Sequence, residues 1–225
     1  MKRTRISAAL IATVAALAGC ATEPAEAPPV QTTGSTAAAP QSALPLSAAA
    51  LAAYERGDHE TAFREYSAFA EAGNATAQYG LGLMYARGEG AARDDAAAAG
   101  WYAKAAAQGF AEAQFNLAGA FEKGRGVALN TAEAARWYRE AAEQGHAKAP
   151  YNLGLMYMVP EGRDRPEYRL QAAMWLHVAV ARLAAADPLR RQALESFDAV
   201  TAEMTVVEFT EAERLAREWM NQHPQ

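Results

Sequence analysis

The sequence predicts an all-α solenoid of antiparallel helix pairs, because several kinds of residue recur every 36 positions. Glycines mark the joints, and between them alanines, leucines and aromatic residues follow the helical spacing of three and four residues. The residues in register are Gly73, Gly109 and Gly145; Ala77, Ala113 and Ala149; Leu81, Leu117 and Leu153; and Tyr85, Phe121 and Tyr157. A unit of this length cannot bury its apolar face alone, so neighbouring units must stack.

Four units and a terminal pair of capping helices account for residues 47–225. The units run over about 47–73, 74–109, 110–145 and 146–186, and the capping helices follow in 187–225. In a full unit, the first helix ends at a loop with two glycines and the second helix stops at the next joint. The first unit is short, and Pro160 replaces the first loop glycine of the fourth unit. Such departures are typical of terminal units, which have one neighbour.

The second helix of the third unit has a predicted start signal. The Asn130 side chain can accept from a backbone N–H two or three residues later, while the Glu133 side chain reaches back to the backbone of Asn130. This reciprocal arrangement, a capping box, predicts that the helix begins just after Asn130. On the first helices, small residues predict close approach of a neighbouring helix: Gly82, Ala118 and Gly154.

Residues 1–19 have the pattern of a secretory signal peptide. Three basic residues lie among the first five, and the apolar run at 6–19 is shorter than a membrane span. The run ends in Leu-Ala-Gly-Cys at 17–20, which resembles the lipobox of bacterial lipoproteins and implies lipidation of Cys20. An ordinary Ala-x-Ala cleavage site at 16–18, with Cys20 incidental, is the alternative. Cys20 is the only cysteine of the chain, which favours a lipid anchor over a disulfide.

Residues 20–46 predict a disordered tether rich in proline and alanine, since they hold too few large apolar residues for a core. Without residues 1–19 the chain has 18 basic and 26 acidic residues, a net charge of −8. This acidity argues against nucleic acid as a partner, because binding phosphate needs clustered basic residues. In lipoproteins of this kind, Ala21 rather than Asp after the cysteine implies the outer membrane if the source has one, with the folded part facing the periplasm.

Three segments carry a resemblance to a known family. They are Ala-Gln-Tyr-Gly-Leu-Gly-Leu-Met-Tyr at 77–85, Trp-Tyr-Ala-Lys-Ala-Ala at 101–106 and Ala-Ala-Glu-Gln-Gly-His at 141–146. These segments resemble Sel1-like repeats, the relatives of tetratricopeptide repeats, and the resemblance covers about residues 50–185. It implies a right-handed α-solenoid that acts as an adaptor or scaffold for other proteins, and it implies no particular partner.

No residue pattern predicts catalysis, a metal site or a cofactor. The four histidines lack the spacing of metal ligands: His59, His146, His177 and His223. The loop glycines at 88–90 and 124–126 lack the preceding strand and the following Lys-Ser/Thr of a phosphate loop, so they are interpreted as helix-ending loops. We therefore expect a protein that is not an enzyme.

By analogy with tetratricopeptide repeats, five residues of the first helices are predicted to face a partner in the concave groove. They are Tyr79, Phe115, Asn116, Tyr151 and Asn152. Aromatic rings supply contact area, and a side-chain amide can both donate to and accept from an extended peptide. Helical periodicity cannot separate two adjacent faces, so the three aromatic rings could instead pack between units. Charge near the groove is mixed: Arg87, Glu122, Lys123 and Lys148.

Three functions from different classes remain open. The first is a lipid-anchored scaffold of the cell envelope that binds a protein or peptide in the solenoid groove. The second is a cell-wall-related enzyme or penicillin-interacting protein, as some exported, cysteine-rich Sel1-repeat relatives are; this chain lacks their paired cysteines and any serine in a nucleophile context. The third is a structural lipoprotein that contacts peptidoglycan.

Overall fold

The computed structural model describes residues 48–158 and 165–224. The predicted signal peptide, Cys20 and the tether lie outside these residues, as does the loop that contains Pro160. The described residues form ten helices and no strand. The helices are α1 (Ala48–Glu55), α2 (His59–Glu71), α3 (Ala75–Arg87), α4 (Asp95–Ala106), α5 (Ala111–Lys123), α6 (Thr131–Glu143), α7 (Ala149–Tyr157), α8 (Pro166–Arg182), α9 (Pro188–Thr201) and α10 (Val206–Gln222).

Successive helices pack in pairs along the chain. The pairs α1–α2, α3–α4, α5–α6 and α7–α8 correspond to the four predicted units, and each second helix also packs on the first helix of the next unit. Helices α9 and α10 both pack against α8. The predicted all-α stack with a C-terminal pair of capping helices is confirmed.

The repeated small and aliphatic residues form the core between helices. The leucines at the first-helix position, Leu81, Leu117 and Leu153, are at most 2% exposed. Alanines at three repeat positions are equally buried, which lets helix backbones approach closely: Ala62, Ala98 and Ala134; Ala70, Ala106 and Ala142; and Ala77, Ala113 and Ala149. Because each cluster of buried residues draws on neighbouring helices, the core continues from unit to unit.

Buried amides tie the first helices of the second and third units to the unit before them. Gln78 Nε2 donates to the Ala70 carbonyl oxygen at 3.0 Å, and Gln114 Nε2 donates to that of Ala106 at 3.2 Å. Both acceptors lie in the last turn of the preceding second helix, where carbonyls lack intrahelical partners. Gln78 Oε1 accepts in turn from Gln108 Nε2 at 2.8 Å. The repeat therefore includes a polar contact between units as well as an apolar one.

The loops inside the second and third units are anchored on the preceding unit. Gly90 and Gly126, one repeat apart, have φ of 75° and 71°. A Cβ on Gly126 would lie 2.0 Å from the carbonyl oxygen of Asp95, the first residue of α4, and a Cβ on Gly90 would lie 2.2 Å from that of His59, the first residue of α2. Only glycine fits both the backbone angle and the contact. The predicted helix-ending loops thus also join units.

The capping box predicted at the start of α6 is wrong in its second half. Asn130 Oδ1 accepts from the Glu133 backbone N–H at 3.1 Å, as expected. The Glu133 carboxylate instead accepts from Arg136 at 2.8 Å, and the Asn130 N–H donates to the Phe121 carbonyl of the preceding helix. A guanidinium one turn later offers the carboxylate a stronger, charge-assisted bond than a backbone amide does.

A complete capping box occurs at α10, where sequence reasoning did not look for one. Thr205 accepts from the Glu208 backbone N–H at 3.3 Å, and Glu208 Oε2 accepts from the Thr205 N–H at 2.8 Å. Asp187 caps α9, since its Oδ1 accepts from the Leu189 N–H at 2.8 Å. Helix α8 ends at Arg182, four residues before the predicted end of the fourth unit.

Candidate functional site

A groove of about 370 Å³ crosses the second, third and fourth units. Its walls come from α4, α5, α6 and α7, with Ala86 of α3 and residues of two loops at its rim. The lining residues are Ala86, Arg93, Asp95, Ala98, Ala99, Tyr102, Phe115, Asn116, Gly119, Ala120, Lys123, Arg125, Tyr138 and Asn152. This is large enough to take several side chains of a partner.

Three of the five predicted partner-binding residues line this groove: Phe115, Asn116 and Asn152. Tyr79 does not line it. Its ring packs against Phe110, with centroids 5.2 Å apart, and against Tyr102 at 6.0 Å.

Tyr151, the other predicted residue outside the groove, packs against the apolar cluster of α8, α9 and α10. Phe115 has both roles that the periodicity left open. It lines the groove, and its ring also contacts Tyr138 at 5.4 Å and stacks on His146 at 4.1 Å between centroids. The rings of Phe115 and Tyr79 therefore hold units together, whereas the two asparagine amides are the predicted groups that line the groove without such ring contacts.

Two buried tyrosines one repeat apart, Tyr102 and Tyr138, form the floor of the groove, and they are 6% and 1% exposed. A glycine on the first helix makes room for one of them. A Cβ on Gly82 would lie 2.6 Å from Tyr102 Cε1, which is too close for a carbon–carbon contact, whereas a Cβ on Gly119 would be in ordinary contact with the Tyr138 hydroxyl at 3.6 Å. The expected close approach at Gly82 thus admits the tyrosine of the following helix.

In the fourth unit a leucine takes the place of the tyrosine. Leu176 follows Tyr138 by 38 residues and is fully buried, and a Cβ on Gly154 would lie 2.8 Å from its Cγ. The same small-residue contact is thus made without a hydroxyl.

Both phenols of the floor are protonated at neutral pH, as tyrosines ordinarily are, and burial raises their pKa further. Burial raises the pKa of Tyr102 to about 12, although interaction with Asn116 opposes the rise. Burial also raises the pKa of Tyr138, and the hydrogen bond to Glu122 adds to the effect. The Tyr138 hydroxyl donates to Glu122 Oε2 at 2.8 Å. Hydroxyl donors and amide side chains therefore lie together in the groove.

Basic residues from two loops make the rim more positive than the sequence indicated. Arg93 donates to both carboxylate oxygens of Asp95, at 3.2 and 2.9 Å, so that pair is neutral. Lys123 and Arg125 also line the groove, and neither forms an ion pair within the described residues. Of the four charged residues considered from the sequence, Lys123 alone lines the groove.

Sequence reasoning missed Arg93 and Arg125 because helical periodicity does not place loop residues. One signal was present in the repeat register. Arg87 and Glu89 of the second unit correspond to Lys123 and Arg125 of the third, so an acidic position becomes basic 36 residues later. Reading the charge at equivalent loop positions would have predicted the excess positive charge.

His146 packs against Phe115, one of the residues that line the groove. Its ring stacks on Phe115 with the planes 21° apart, and its Nδ1 is buried without a hydrogen-bond partner among the described residues. Burial lowers the pKa of His146 below its usual value. The neutral imidazole is therefore the form that fits this position.

Metal chemistry and membrane insertion find no support in the described parts of the chain. Residues 48–158 and 165–224 contain no group of three or more histidine, cysteine or acidic side chains placed to hold a metal. None of the helices within these ranges is both long and apolar enough to cross a membrane.

Comparison with known families matches three segments of 35 or 36 residues to the Sel1 repeat, at 75–110, 111–146 and 147–181. The chain is a Sel1-repeat protein. The matched segments begin one residue after the predicted unit boundaries and cover the helix pairs α3–α4, α5–α6 and α7–α8. Sel1 repeats generally form non-enzymatic scaffolds that mediate contacts between proteins.

Two solved structures are similar to this Sel1-repeat protein. One is a protective antigen present in uropathogenic Escherichia coli strains that displays an SLR fold, with 32% identity over 73% of this chain and a TM-score of 0.61. This chain spans 33% of that antigen. The other is a Sel1 repeat protein from Oxalobacter formigenes, with 28% identity, a TM-score of 0.58, and coverage of 77% of this chain and 73% of that one. No curated protein matches this sequence. The likeness confirms the repeat solenoid.

Proposed function

We propose that this Sel1-repeat protein is an adaptor that binds an extended segment of a protein partner in the groove. The observation that carries the proposal is the floor of the groove, where Asn116 and Asn152 lie beside the hydroxyls of Tyr102 and Tyr138. An extended segment presents unpaired backbone N–H and C=O groups, and side-chain amides can satisfy both kinds. Phe115 adds an apolar contact surface in the same groove.

The test is capture of partners by crosslinking in cells. Asn116→Ala with Asn152→Ala removes both amides and leaves the ring contacts between units in place. Gln192→Ala with Asn221→Ala is the matched control, since it removes two exposed amides that do not line the groove. We expect one or more proteins to be lost from the groove variant alone, with helical circular dichroism unchanged in both. Equal capture by both variants would contradict the proposal.

A triple alanine substitution of Tyr79, Phe115 and Tyr151 would be a poorer test. All three rings pack against other units or against the capping helices, so their loss would destabilise the repeat itself. Lost capture would then report unfolding as well as lost binding.

We further propose that the adaptor is exported and held at the outer membrane by lipid on Cys20, with residues 20–46 as a tether facing the periplasm. The support is the basic start, the apolar run and the single cysteine at its end. Several acyl chains on one residue give stable attachment. Labelling cells with an alkyne-bearing fatty acid tests this. The wild type should carry the label in the membrane fraction and Cys20→Ser should not; an unlabelled wild-type protein would exclude the anchor.

A further inference from the structure

The two tyrosines of the groove floor differ in one respect, which is the group that accepts from the hydroxyl. The Tyr138 hydroxyl donates to the Glu122 carboxylate at 2.8 Å. One repeat earlier, Tyr102 holds the same place, but the position equivalent to Glu122 is Ala86. Ala86 lines the groove, and no carboxylate of the described residues accepts from Tyr102. The second unit thus presents a phenol donor where the third unit has a complete phenol–carboxylate pair.

The surroundings of Tyr102 are suited to a carboxylate from outside. Its hydroxyl stays protonated at neutral pH, so it can donate. Asn116 interacts with the same hydroxyl and lines the groove, which places the donor at the groove surface. The short Ala86 side chain leaves the space that the longer Glu122 side chain fills one repeat later.

Two cations of the same groove form no close ion pair among the described residues, although, besides the hydrogen bond from Arg93, the charge of Arg125 helps to lower the pKa of Asp95. In the second unit, Arg87 donates to the Tyr54 hydroxyl at 2.8 Å, and that hydroxyl donates to Glu89 at 2.9 Å, so the loop charges are balanced internally. The equivalent positions of the third unit are Lys123 and Arg125, and both are basic. Asp95, the acidic residue that lines the groove, is already held by Arg93. The groove is therefore a positive site on a chain of negative net charge.

We propose that the groove selects an acidic partner segment, whose Asp or Glu side chain accepts from the Tyr102 hydroxyl as Glu122 accepts from Tyr138. Lys123 and Arg125 balance the charge of that side chain, and Asn116 contacts the adjoining backbone. This inference rests on the proposed function, because it names the chemistry of the segment that the groove binds.

Selection from a displayed library of random ten-residue peptides tests the inference with the purified protein. We expect Asp and Glu to be enriched among the selected peptides, and replacement of the acidic residue of a selected peptide by its amide to raise Kd about tenfold, the size of effect a single partly exposed charge contact gives. Lys123→Gln with Arg125→Gln should raise Kd for the acidic peptide to a similar extent and leave Kd for the amide version unchanged within twofold. Tyr102→Phe should act in the same selective way.

A charge-matched variant, Arg56→Gln with Arg191→Gln, removes two exposed cations that do not line the groove and should bind both peptides like the wild type. Peptides that need Asn116 and Asn152 but show no acidic enrichment would overturn this inference and leave the adaptor function standing. Peptides insensitive to the asparagine substitutions, or no selected peptides from a folded protein, would contradict both proposals. An equal loss of affinity for the acidic peptide in the charge-matched variant would show that net charge alone causes the effect. That result would overturn the proposed site.

Discussion

Substitution of Gly126 by alanine should destabilise the protein far more than the same substitution at Gly109, although both glycines have positive φ. Gly109 has φ of 81°, and a Cβ there would meet no atom within 4 Å. Its replacement should cost about 1–2 kcal/mol, the penalty for an L-residue in the left-handed region. At Gly126 the new Cβ would lie 2.0 Å from the Asp95 carbonyl oxygen. Moving the loop off α4 should add about 1–3 kcal/mol, the usual cost of overpacking.

Thermal unfolding followed by circular dichroism measures the difference. A gap of about 2 kcal/mol between the variants corresponds to roughly 4–8 °C in Tm for a protein of this size. Gly126→Ala should also weaken peptide binding, because the displaced loop carries Arg125, while Gly109→Ala should not. Equal Tm values for the two variants would refute the argument that the loop is seated on the preceding unit.

Three further outcomes are expected. Tyr138→Phe should lower the free energy of unfolding by about 1–2 kcal/mol at pH 7, since the Glu122 carboxylate loses a donor, and urea titration measures it; no loss would mean that water replaces the phenol. Gln78→Ala should cost about 1 kcal/mol through its bond to Ala70, and a wild-type urea midpoint would contradict a role for this amide. Because burial lowers the pKa of His146, the unfolded state binds the proton first as pH falls. The free energy of unfolding should therefore drop below about pH 6.5, and it should drop less in His146→Phe than in the wild type. Parallel pH profiles for the two proteins would show that His146 does not cause the drop.

The repeat register predicted most of the fold because it fixes which residues face inward. Leu81, Leu117 and Leu153 were expected in the core from their spacing alone, and all three are buried. Helix ends were harder to predict, because a capping hydrogen bond forms only if no other donor binds the same side chain. Glu133 was assigned to the backbone of Asn130, but Arg136 lies one turn away and binds it instead.

The candidate site was predicted only in part, for a geometric reason. Residues at one repeat position need not do the same thing: Phe115 and Tyr79 are equivalent, yet only Phe115 lines the groove. A ring at the boundary of two helix faces turns according to its neighbours, which one sequence does not reveal. Tyr102 and Tyr138 are buried, and periodicity gave no sign that they also line the groove.

The leucine that replaces the tyrosine in the fourth unit sets the length of the hydroxyl-bearing floor. Leu176 preserves the apolar contact with Gly154 while contributing no donor, so stacking of units and presentation of donors are separable properties of the repeat. Inserting another 36-residue unit with a tyrosine at this position would lengthen the floor by one donor and leave the capping helices unchanged. Related arrays could therefore evolve different ligand lengths by gaining or losing whole units, without any redesign of their core.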